Sequence, residues 1–160
     1  MSTLNQAHNQ WANRPADETF DSLAALHNAV EDQRAESKAV IVDVGALRVE
    51  ANGDSVQLVG RANRPAHLTN HAFGQLCQRV SAPASYLREL PPTLATQNLN
   101  HGLALYGRGN IGEEDRKASL LLRQNGDFFL RAVLTESYTR IWNSDVTSRL
   151  VAIQIGRAHV

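Results

Sequence analysis

The sequence predicts an α+β domain, and two observations carry that expectation. Two hairpin signals lie far apart in the chain, and helical spacing fills the interval between them. Alternating runs flank Asn52-Gly53 and again Asn125-Gly126. Asn-Gly between such runs favours a type I′ turn, which needs positive φ at both central residues. The expected architecture is two antiparallel hairpins forming one sheet with helices packed against it.

Residues up to Arg14 are polar and read as an N-terminal arm. Pro15 marks the entry to a helix expected over Thr19 to Ala35, where Phe20, Leu23, Ala24, His27 and Val30 recur at three- and four-residue steps. Lys38 to Val44 is rich in β-branched residues and reads as a strand. Leu47, Val49 and Ala51 then alternate with Arg48 and Glu50 before the first turn, and Ser55 to Val59 resumes the pattern. The run Ala12 to Ala16 recurs as Ala62 to Ala66, each time expected just before a helix. Thr69 fits the N-cap of a helix reaching Val80. Pro83 opens a short helix to Leu90, Pro91-Pro92 breaks it, and Thr93 to Tyr106 forms a third. Gly107 to Glu114, with three glycines, reads as a loop. In the second hairpin, strict alternation puts Phe128, Leu130, Ala132 and Leu134 on one side and Phe129, Arg131 and Val133 on the other. A last helix begins near Ser144. Residues 15–153 are read as a single domain, incomplete at its C-terminus. Residues 154–160 match what read-through of a sequencing adapter encodes and are read as non-native.

Composition narrows the function classes. The 160 residues are 42% apolar, enough for a core. No apolar run approaches membrane-spanning length, and the N-terminus has no signal-peptide pattern. Cys77 is the one cysteine, which removes an internal disulfide and any multi-cysteine metal site, and a reducing cytoplasm fits. Net charge is zero, with 16 basic and 16 acidic residues, but unevenly spread. Residues 1–60 carry nine acids against four bases, whereas 61–112 carry five arginines and only Glu89. That asymmetry permits a basic face, and arginine's planar fork suits phosphate.

Two constellations fit nucleic acid. Leu76, Val80, Tyr86, Leu87 and Leu90 have the apolar spacing of a helix-turn-helix, with Arg79, Ser85 and Arg88 placed to meet phosphate or a base edge. Its turn departs from the usual pattern at Cys77 and Ser81. Arg131, Tyr138, Arg140 and Trp142, joined by Arg123 from the paired strand, interleave cations with aromatic rings as single-strand binders do. His67 and His71 stand four apart but lack an adjoining carboxylate, so no metal is expected. No P-loop, GxGxxG or Ser-His-Asp pattern is present, and no cofactor is expected. Cys77 beside Leu76 reads as core packing.

Two blocks resemble the family called domain of unknown function 932, the phage/plasmid-like proteins. The first runs from Ala72-Phe73-Gly74-Gln75-Leu76 through Pro83-Ala84-Ser85-Tyr86-Leu87, extended by Leu99-Asn100-His101-Gly102-Leu103. The second is Leu130-Arg131-Ala132-Val133-Leu134-Thr135-Glu136-Ser137-Tyr138-Thr139-Arg140-Ile141. The likeness spans roughly Trp11 to Leu150, with Ser81 where the pattern has glycine. It implies a mobile-element origin and names no activity. The expectation is a phage- or plasmid-encoded, DNA-associated protein of replication, recombination or host takeover. The alternatives are an enzyme completed by residues beyond 152 and a module that binds a host factor. A homo-oligomer stays open, and no membrane partner is expected.

Overall fold

The computed structural model describes residues 19–59, 64–108 and 116–157. The arm at 1–14, the whole first Ala-Asn-Arg-Pro-Ala repeat with Pro15, Glu113 and residues 158–160 fall outside that range. The elements are α1 (Leu23–Ala35), β1 (Ser37–Asp43), a 3-10 turn (Val44–Ala46), β2 (Arg48–Asn52), β3 (Ser55–Val59) and β4 (Pro65–Leu68). Then follow α2 (Asn70–Arg79), α3 (Ala84–Glu89), α4 (Pro92–Arg108), β5 (Lys117–Asn125), β6 (Asp127–Thr135) and α5 (Asn143–Arg157). The class is α+β, as the sequence predicts. The contacts gather into two compact units: Glu36–Arg140, and a second made of the chain up to Ala35 together with Ile141 onward. Among the described residues no helix is long and apolar enough to cross a membrane.

In the larger unit six strands form one mixed sheet in the order β1-β5-β6-β4-β3-β2. Both expected hairpins are present, as β2–β3 and β5–β6. Their turns differ from expectation. Asn52 pairs with Ser55, which leaves Gly53 and Asp54 as the loop, and of these only Gly53 has positive φ. A glycine at the first central position meets the demand of a type II′ turn. Asn125 likewise pairs with Asp127 around Gly126 at φ 71°. The asparagines are therefore the last strand residues, and the glycines alone take the left-handed conformation.

Strand β4 was not foreseen. Pro65 to Leu68 precedes α2 as a strand, so the second Ala-Asn-Arg-Pro-Ala run leads into extended chain and not directly into a helix, and His67 lies on that strand. It joins the two hairpins: antiparallel to β3, and parallel to β6 through His67↔Phe129 and Leu68↔Leu130. Gly107 also differs, since it lies in the last turn of α4, while the rest of the expected loop, 109–114, falls outside the described residues. There its backbone meets Gly45, where an added Cβ would sit 2.5 Å from the Gly107 Cα.

Between β5 and β6 the register slips: Leu121 faces Ala132 while Leu122 faces Leu130, leaving Arg131 as the extra residue of a bulge. A one-residue insertion exchanges the faces of everything beyond it. Val133 thus joins Phe128 and Leu130 on the core side, and Ala132 and Leu134 join Phe129 on the other. Strict alternation along β6 fails for that reason. The core side also carries Val42, Leu58, Ala66 and Leu120, and α2 covers it at β6 and β4 while α4 covers it at β2, β3 and the turn.

Helix side chains complete the sheet where strands stop. Thr69 caps α2 by accepting the Ala72 N–H at 3.2 Å, and its own N–H and hydroxyl donate to the Leu130 carbonyl, both at 3.1 Å. Gln75 Oε1 accepts the Val133 N–H at 2.7 Å. At the β2 edge, Asn100 accepts the Val49 N–H at 2.9 Å and donates to its carbonyl at 2.8 Å. Asn100 therefore acts as a partner strand one residue long.

In the smaller unit α1 and α5 meet through polar groups. His27 Nδ1 lies 2.9 Å from Thr147 Oγ1, and Arg34 reaches Ser144 Oγ at 3.1 Å and Asp145 at 2.6 Å. Of the apolar stripe expected on α1, only Val30 is buried. Val146, Leu150 and Ile153 of α5 are exposed.

Asn100→Ala is expected to lower stability by about 1–3 kcal/mol, two hydrogen bonds' worth. Chemical denaturation should show an earlier midpoint at an unchanged slope; a shift below about 0.5 kcal/mol would remove Asn100 from this role.

Candidate functional site

The bipartite helical segment forms where the sequence puts it, but it presents other groups than a helix-turn-helix needs. The N–H of Ala82 donates to the Cys77 carbonyl at 2.9 Å and that of Ser81 to the Gln78 carbonyl at 3.1 Å. These are the two bonds of a Schellman helix ending, and Ser81 takes its left-handed position at φ 55°. The turn survives with serine where glycine fits without strain. Leu76 and Leu87 are buried as expected, whereas Tyr86 is 56% exposed. Arg88 turns back: its Nη2 donates to the Asn70 carbonyl at 2.8 Å, and its guanidinium lies 5.3 Å from the Phe73 ring centre. It ties the six-residue α3 to the first turn of α2 instead of projecting from it. Ser85 is exposed, and Arg79 is half-buried and engaged.

Cys77 is fully buried behind this turn. Burial pushes its thiol pKa up, and the positive charge of Arg88 only partly opposes this. The neutral thiol is thereby favoured, which suits packing and disfavours nucleophilic chemistry.

The second constellation divides. Arg123 Nε donates to Glu36 Oε2 at 2.8 Å, with the arginine side chain only 20% exposed. It belongs to a row that crosses five strands in register: Gln57, His67, Phe129, Arg123 and Ser37. Within that row Gln57 Nε2 lies 3.0 Å from His67 Nδ1, and the His67 and Phe129 rings are 5.3 Å apart. The sequence reading missed this row, because β4 supplies the residue that makes it continuous. Trp142 sits under the Arg34 guanidinium, 5.4 Å away, in the smaller unit.

Arg131, Tyr138 and Arg140 remain grouped. The bulge sets Arg131 outside the alternating pattern, where it is exposed, and among the described residues no carboxylate pairs with it. The chain turns after β6, with the Tyr138 N–H donating to the Thr135 carbonyl at 3.2 Å, and the Tyr138 side chain is 55% exposed. Partial burial pushes the Arg140 pKa down. Tyr138 opposes that shift, and the like charge of Arg131 adds to it. Two nearby acids in sequence pair with other bases: Glu136 with Lys117 at 3.7 Å and Asp145 with Arg34 at 2.6 Å.

Among the described residues no three or more His, Cys, Asp or Glu gather as a metal site. His71 and His101 are exposed on α2 and α4.

No protein-family model, curated protein or solved structure matches the chain.

Ser81→Gly is expected to raise stability by about 0.5–1 kcal/mol: it relieves the left-handed strain of a Cβ-bearing residue, partly offset by a freer unfolded chain. Thermal unfolding of the variant tests this, and a loss of stability would show that the serine side chain contributes something the turn geometry does not.

Proposed function

We propose that this chain is a nucleic-acid-associated protein of the phage/plasmid-like type, and that it holds single-stranded nucleic acid at the end of β6. The contacting residues in this reading are Arg131, Tyr138 and Arg140. The observation that carries it is the grouping of two arginines around one exposed tyrosine, with Arg131's charge felt at Arg140. Like charges held close cost stability in water, and a phosphate between them removes that cost. Tyr138 offers a ring face on which a base of any identity stacks. Arginine suits the task because it stays charged at neutral pH even when its pKa is lowered, and its fork takes two phosphate oxygens at once.

A single strand fits this patch better than a duplex groove. A major-groove reader needs a helix whose side chains project outward, and Arg88, the residue best placed by sequence for that, is bonded to Asn70. Arg123 is satisfied by Glu36, so it serves the sheet and not the ligand in this reading.

Fluorescence anisotropy with a labelled thymidine oligonucleotide tests the proposal. Tyr138→Ala should weaken binding roughly 5- to 150-fold, the loss of one stacked base. Arg131→Ala should lower the slope of log affinity against log salt by about 0.7, one phosphate contact on a single strand. Absence of binding in the parent chain, or equal binding by both variants, would refute it.

A further inference from the structure

The core face of the sheet is covered unevenly. Within the larger unit, helices α2 and α4 lie over β6, β4, β3 and β2. A cavity of about 590 Å³ opens where that cover stops, walled by Val40, Val42, Leu58, Leu120, Leu122 and Phe128. Its register explains its apolar wall: Val40 lies opposite Leu120, and Leu122 follows two residues on along β5, so adjoining strands send aliphatic side chains to one side. The volume lies within the range of small-molecule sites, and such sites combine apolar walls with a few placed polar groups.

Among the described residues two charged groups line it, Asp43 and Arg64. Asp43 has one carboxylate oxygen taken by the Gly45 N–H at 2.8 Å. Arg64 stands over the Phe128 ring, 5.7 Å from its centre, and makes no ion pair or hydrogen bond with the described residues. An apolar wall accepts any apolar molecule, so Arg64 decides the class. Its guanidinium stands at the aromatic edge of the cavity, where an acid's two oxygens would complete the fork that the described residues leave unfilled.

We propose that this cavity binds a small amphiphile with one anionic end, in class a medium-chain fatty acid, its carboxylate on Arg64 and its alkyl chain along Leu122, Leu120 and Val40. The site is independent of the patch at the end of β6. The tail is held by water exclusion, so each methylene that enters the cavity tightens binding roughly 4-fold. The head is held by a charge-assisted pair, whose loss weakens binding roughly 10-fold.

Calorimetric titration of the whole chain with octanoate, decanoate and dodecanoate, each below its micellar concentration, tests this. The expected result is saturable one-site binding that tightens along the series, with amide shifts in NMR spectra centred on Val40, Leu120 and Phe128. Arg64→Gln, at an exposed position, should weaken dodecanoate roughly 10-fold and leave 1-dodecanol unchanged. Val40→Trp should abolish both by filling the cavity, with its unfolding midpoint checked in parallel. If it unfolds, the Arg64→Gln comparison decides alone. Non-saturable uptake, equal affinity for the acid and the alcohol, or shifts confined to other surfaces would each overturn the proposal.

Discussion

Strand β4 lies beside β6 for two residue pairs, and from Arg131 onward no strand among the described residues adjoins that edge of β6. What takes over is the first turns of α2. Thr69 doubles as helix cap and sheet partner, donating twice to the Leu130 carbonyl, and Gln75 accepts the next outward-facing N–H, that of Val133. Unpaired backbone groups at a partly buried edge are costly, so the arrangement fixes where α2 lies along β6. Much else follows from that placement: α2 carries Phe73, Leu76 and Cys77 into the core, and Arg88 ties α3 to its first turn.

The bulge at Arg131 stands at this same joint. By inserting one residue it turns Val133 into the core and frees Arg131 from it. One local irregularity therefore gives a tighter core on one side and an exposed cation on the other. Bulges recur where a strand must re-aim a side chain. Here the residue left over is an arginine whose charge acts on Arg140 across the turn that carries Tyr138.

Much of this was legible in the sequence, and the rest failed for physical reasons. The α2 cap was readable because Thr69 precedes a helical run, and both hairpins announced themselves through Asn-Gly. The turns still formed one residue off, since positive φ suits glycine and the asparagines could stay in the ladder. Strand β4 was hidden because four residues beginning with proline carry too little periodicity to register, and its parallel partner lies some sixty residues away. The bulge had no signature at all: Phe128 to Leu134 reads as uninterrupted strand, and only register reveals the slip. At the candidate site the sequence singled out Arg131, Tyr138 and Arg140, which remain together. Arg88 stood out by its place on the second helix and Arg123 by its place on the paired strand, and their neighbours Asn70 and Glu36 were not visible as partners. Arg64 drew no notice, because a cavity is a property of strand order and not of any one segment.

The joint between α2 and β6 is most directly tested by amide hydrogen exchange at Val133 in a Gln75→Met variant, which keeps the side-chain length and removes the acceptor. The account predicts that the Val133 amide loses protection well beyond any global loss of stability, while the amide of Leu121, deep in the β5–β6 pair, changes only with the global value. Unchanged protection at Val133 would contradict the claim that α2 completes this edge of the sheet.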